Sequence, residues 1–112
     1  MVNRGLERVE TGGAISPEAL EDVELIASYI ERDSVWYAKI VASKIVSAAE
    51  SIPCNPEIGR MVPEIADKKI RELFVYSYRL IYRIEPERVI VAAVIHGSRL
   101  LQSFVQRIEI TI

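Results

Sequence analysis

The stretch Tyr78-Arg79-Leu80-Ile81-Tyr82-Arg83-Ile84 decides the architecture of this chain, because it alternates. Successive side chains of a strand point to opposite faces, so Tyr78, Leu80, Tyr82 and Ile84 share one face while Arg79, Ile81 and Arg83 share the other. The first face reads as core, and the second carries cations. Glu85-Pro86-Glu87 then offers a tight turn, and residues 88–95 are rich in Val, Ile and Ala, as expected of a central strand. Upstream, residues 69–76 mix charge with Ile70, Leu73, Phe74, Val75 and Tyr76. Short connections make these three segments an antiparallel meander. The last of them ends in His96-Gly97-Ser98-Arg99, which contains the one histidine of the protein.

Working back from the strands, residues 16–52 read as two helices. Ser16-Pro17 is a helix start, since serine caps free amides and proline fits the first turn. Glu18, Glu21 and Asp22 suit the positive end of the helix dipole. Leu20, Val23, Ile26, Ala27 and Ile30 recur at helical spacing. Asp33-Ser34 breaks the run and caps a second helix, whose apolar stripe is Ala38, Val41, Ala42, Ile45, Ala49 and Ile52. So short a break predicts an antiparallel helix hairpin. Trp36 and Tyr37 are expected in the core or against a partner. Pro53, Asn55, Pro56 and Gly59 open a loop that runs to about Asp67. The expected fold is α+β: an N-terminal antiparallel helix hairpin packed on a mainly antiparallel sheet. Leu6–Thr11 and the alternating Arg107–Ile112 are candidates for further strands.

The chain has 112 residues, half of them hydrophobic, and reads as one domain over 1–112. A chain of this size buries about two-thirds of its unfolded surface, enough to fold without metals or disulfides. The single cysteine, Cys54, excludes an intramolecular disulfide and leaves no cysteine-based zinc site. No metal or cofactor is expected. There is no signal sequence and no long apolar run, so the expected setting is cytoplasmic, with no membrane span. The net charge of −2 divides into −5 over residues 1–57 and +3 over residues 58–112. That excess is small for a protein that holds nucleic acid through many phosphate contacts.

The ordered set Ser16-Pro17-Glu18-Ala19-Leu20, Pro56-Glu57-Ile58-Gly59-Arg60, Arg71-Glu72-Leu73, Tyr78-Arg79-Leu80-Ile81-Tyr82-Arg83 and His96-Gly97-Ser98-Arg99 resembles the RelE/ParE toxin superfamily. The resemblance covers about residues 16–100 and leaves 101–112 as a C-terminal extension. It implies the toxin of a type II toxin–antitoxin pair, of the plasmid-stabilisation kind, that inhibits growth and is neutralised by a cognate antitoxin. One branch of the superfamily poisons DNA gyrase. Another cleaves messenger RNA in the ribosome. Shared fold does not separate the two.

RNA cleavage by 2′-hydroxyl attack needs a proton acceptor, an acid and cations for the phosphorane. Arg79 matches the family arginine of the tyrosine-arginine pair and is the candidate to stabilise the phosphate. His96, whose imidazole suits acid–base work near neutral pH, is the second catalytic candidate, with Arg71, Arg83 and Arg99 as candidate contacts to substrate or target. Each has a plainer role. Arg79 can clamp a carboxylate or the C-terminal backbone. His96 shares its parity with Ile90, Ala92 and Val94, and can cap a strand end half-buried. Arg99 can anchor a turn, and Tyr78 and Tyr82 belong with the core. The acidic charge, the absence of a lysine-rich helix and a tail with Phe104 but no tyrosine depart from the RNA-cleaving branch. They favour a ParE-like gyrase poison over a RelE-like ribosome-dependent endonuclease. A third reading is an inactive member retained as an antitoxin-binding protein. The apolar Ile108, Ile110 and Ile112 suit a homodimer or an assembly with the antitoxin.

Overall fold

A computed structural model describes residues 13–99. Helix α1 (Pro17–Glu31) and helix α2 (Val35–Ser51) form the antiparallel hairpin. The serines start both. Ser16 Oγ accepts from Ala19 N at 3.0 Å, and Ser34 Oγ accepts from Tyr37 N at 3.0 Å. The turn closes with Asp33 N and Ser34 N both donating to Ile30 O at 2.9 Å.

Among the described residues five strands make one sheet: β1 (Gly13–Ile15), β2 (Arg60–Met61), β3 (Ile70–Val75), β4 (Tyr78–Ile84) and β5 (Val89–His96), in the order β1-β5-β4-β3-β2. The meander β3-β4-β5 is antiparallel, as its short connections require. Two short strands add to it. β1 pairs parallel with β5, Gly13 opposite Val89, and β2 pairs antiparallel with β3, Arg60 opposite Glu72. A single 3₁₀ turn over Ile52–Cys54 ends α2. The possible strands at Leu6–Thr11 and Arg107–Ile112 lie outside the described residues.

The helices cover one face of the sheet. Ala19, Val23, Val41, Ile45, Ala49 and Ile52 pack there on Leu80, Tyr82, Val89, Val91 and Val94. Helix α1 is also tied to the edge of β5. Ser16 N donates to Val91 O at 2.9 Å, and Val94 N donates to Asp22 Oδ2 at 2.9 Å. On the opposite face Val62, Ile70, Ile81, Ala92, Ala93 and Ile95 form a second buried cluster, with Ile65 of the loop after β2 against it.

One expectation is corrected. Ile81 pairs with Ala93 and Tyr82 with Val91, so Ala92 is an extra residue, a β-bulge. The bulge reverses the parity of β5. His96 therefore shares its face with Val94 but not with Ile90 or Ala92, and it is exposed rather than half-buried.

Candidate functional site

The cations of β4 face away from the helices, where β3 and the loop after β2 bring carboxylates. Glu72, opposite Ile81 on β3, is 1% exposed, and Arg79 is 5% exposed. Arg79 Nε donates to Glu72 Oε1 at 2.7 Å. Its two terminal nitrogens donate to Glu64, Nη1 to Oε2 at 3.2 Å and Nη2 to Oε1 at 3.0 Å. The other oxygen of Glu72 accepts from Arg60 Nε at 2.6 Å. The result is a chain of alternating charge, Glu64–Arg79–Glu72–Arg60, sealed at its centre. Paired charges are the form in which ionic groups tolerate such burial.

The protonation states follow. Burial pulls the Arg79 pKa down, but the hydrogen bonds it donates to Glu64 and Glu72 outweigh this and hold the guanidinium above its ordinary value. The hydrogen bond from Arg79 holds the Glu64 carboxyl below the ordinary carboxylate range, against a smaller opposing effect of burial. Arg60, at the exposed end, places its guanidinium carbon 5.8 Å from the centre of the Phe74 ring.

A second set of bonds fastens the loop Pro56–Arg60 to the sheet. The Tyr82 hydroxyl donates to Pro56 O at 2.6 Å and accepts from Gly59 N at 2.9 Å. Burial raises the pKa of this phenol. Arg71, on the helix-facing side opposite Tyr82, donates from Nη1 to Gly59 O at 2.8 Å. Gly59 is required by close approach: a Cβ there would lie 2.5 Å from Glu72 O and 2.8 Å from the Tyr82 hydroxyl. The proline-glycine-arginine loop, the Arg71-Glu72 pair and the Tyr78–Arg83 strand are thus one connected network.

The histidine turn is built differently. His96 Nδ1 lies 2.7 Å from Ser98 Oγ and accepts from Ser98 N at 3.2 Å. The ring meets Tyr78 edge-on, with centroids 5.5 Å apart. Burial raises the Tyr78 pKa, and the nearby Tyr37 and Tyr29 add to the shift. Gly97 N donates to Ser77 O at 2.7 Å, and a Cβ on Gly97 would lie 3.3 Å from Phe74.

Arg79 and His96 are not brought together. Arg79 is opposite Ile95 and His96 opposite Tyr78, so the two side chains leave the sheet on opposite faces. Arg83 is on the Arg79 face, four residues further along β4, and Arg99 is exposed beyond β5. Arg71 and Arg83 each have a buried Nε with no acceptor among the described residues. Sequence reasoning gave no role to Glu64 or Glu72. The available signal was the alternation of β3, which puts Glu72 on the same face as Ile70 and Phe74, where an acid demands a partner. Trp36 is not core: it is 73% exposed. Among the described residues no cluster of three His, Cys, Asp or Glu is placed to hold a metal ion, and no helix is long and apolar enough to cross a membrane.

Comparison with known proteins gives the family. Residues 14–101 match the ParE toxin of the type II toxin–antitoxin system parDE. No curated protein sequence matches the chain. Among solved structures, the chromosomal ParDE toxin–antitoxin system from P. aeruginosa superposes with a TM-score of 0.65 at 13% identity, covering 78% of this chain and 96% of that one. At that identity the likeness establishes the fold, two helices on a mainly antiparallel sheet. With the family match spanning most of its length, the chain belongs to the ParE toxin family of type II toxin–antitoxin systems.

Proposed function

We propose that this protein arrests growth by binding DNA gyrase, in the cytoplasm, and that a cognate antitoxin holds it inactive. The observation that supports a binding module over RNA cleavage is the state of Arg79. Both ends of its guanidinium are engaged by Glu72 and Glu64. A phosphate seeking that cation would have to displace Glu72, leaving a buried carboxylate unpaired at a cost of about 3–5 kcal/mol, or compete with the partly exposed Glu64 for both terminal nitrogens. His96, the available base, lies across the sheet from it. A poison that acts by surface complementarity needs neither group to be free.

The test follows supercoiling and transcripts together. Added to gyrase and relaxed plasmid, the purified protein is expected to reduce supercoiling and to trap cleaved DNA on the enzyme. During induced arrest in cells, transcripts are expected to stay intact, and co-expression of the cognate antitoxin is expected to restore growth. Transcripts cut within codons at the onset of arrest would overturn the gyrase reading. Normal growth on induction without the antitoxin would overturn the reading as an active toxin.

A further inference from the structure

The two helices of the hairpin carry opposite charge on the sides turned from the sheet. Helix α1 exposes Glu18, Glu21, Glu24 and Glu31 and contains no Lys or Arg. Helix α2 exposes Lys39 and Lys44, and its first acid is Glu50. Each set frames apolar surface. Leu25 is 64% exposed on α1, and on α2 a shallow groove of about 580 Å³ is lined by Trp36, Ile40, Ser43 and Ser47 together with Lys39 and Lys44.

We propose that this two-helix face is the contact of a two-fold symmetric homodimer, with α1 of one protomer lying antiparallel along α2 of its partner. Charge complementarity chooses the occupant, because one chain carries both halves of the match. It also chooses the orientation. Stacking α1 on α1 would set acids against acids, whereas a two-fold axis parallel to the helices lays each α1 over the partner's α2 and closes the assembly. That axis preserves height along the helices. In a hairpin turning at Asp33, positions equally far from the turn lie level, since both helices rise about 1.5 Å per residue. Lys44 is then level with Asp22, between Glu21 and Glu24, and Lys39 is level with Ala27, between Glu24 and Glu31. Ile40 comes within one residue of the level of the exposed Leu25. The salt pairs would meet in register, twice over.

Size sets the strength. Helices about 22 Å long and about 9 Å apart offer a face of several hundred Å² per protomer, at the low end of specific interfaces. The dimer is therefore a reversible one in the micromolar range, with affinity from Trp36 and Leu25 and orientation from the charges.

Sedimentation equilibrium of the full chain from about 1 to about 100 µM tests this. The wild type is expected to double its mass across that range, and to dimerise less in high salt. Lys39→Glu/Lys44→Glu makes both helix faces acidic, and Glu21→Lys/Glu24→Lys makes both basic. Each double variant is expected to raise the dimer dissociation constant at least about tenfold. An equimolar mixture of the two variants is expected to recover the dimer, because each then meets its opposite. All four positions are exposed, so circular dichroism should show native folds. A wild type that stays monomeric, a dimer indifferent to charge reversal, or a mixture that fails to reassociate would each overturn the proposal. A monomer whose antitoxin complex weakens in Lys39→Glu/Lys44→Glu would overturn it too, and assign the face to the antitoxin.

Discussion

Arg79 and His96 stand on neighbouring strands at the same end of the sheet, yet their surroundings are opposite. The arginine is closed off by two carboxylates and by the loop after β2; the histidine is exposed and, among the described residues, meets Tyr78 and its own turn. The strand alternation that places charge on a face says nothing about whether that charge will meet solvent. In this fold the outer face of β4 is interior, covered from above by residues 62–67, and its cation became a fastening. What the contrast teaches is that a cation in a family signature can be a structural clamp, with one of its carboxylate partners, Glu72, in the same signature.

The contrast breaks most visibly at Glu72. Glu72→Ala leaves Arg79 buried with only Glu64 and removes the anchor of Arg60, so a loss of about 3–5 kcal/mol is expected in urea denaturation. His96→Ala removes an exposed ring and is expected to change stability by no more than about 0.5 kcal/mol. Equal effects from the two substitutions would erase the distinction between the two regions.

Smaller effects probe how the loop is held to the clamp. Gly59→Ala forces a methyl group to within contact of the β3 backbone and the Tyr82 hydroxyl, and should cost about 1–3 kcal/mol by overpacking. Tyr82→Phe deletes one hydroxyl that both donates to Pro56 and accepts from Gly59, and about 1–2 kcal/mol is expected. Thermal melts rank them. If the loop were fastened independently of the sheet, Tyr82→Phe would leave the melting temperature unchanged.

How much of this was legible in the sequence follows from the range of each interaction. Helix caps at Ser16 and Ser34 act within three residues, and the alternation of Tyr78–Ile84 is a local pattern, so the hairpin and meander could be read directly. The bulge at Ala92 could not, because Val89–Ile95 is buried on both faces and carries no period to reveal an inserted residue. β1 and β2 hold three and two residues and exist through pairing alone. The site was harder still. An arginine attracts a phosphate and a carboxylate by the same physics, and only the pairing of β3 with β4 decides that Glu72 arrives first. The segregation of acids to α1 and lysines to α2 was visible, but it gained meaning only once the helices lay side by side.

The smallest effect sharpens the comparison by titration. Glu64 is the exposed end of the Arg79 clamp, and its pKa is lowered from 4.5, mainly by the hydrogen bond from Arg79. A carboxyl whose folded pKa lies below its unfolded one stabilises the fold above the unfolded pKa, and that contribution is lost as the pH falls through the folded value. The wild type should therefore lose a little stability below about pH 4.5, and Glu64→Gln should lack this part of the acid dependence while differing from wild type near neutrality. Because about a third of the Glu64 side chain is open to water, solvent screening limits the difference to under about 1 kcal/mol. A parallel acid profile for the two proteins would mean that Glu64 contributes nothing to the clamp and that Glu72 alone holds Arg79.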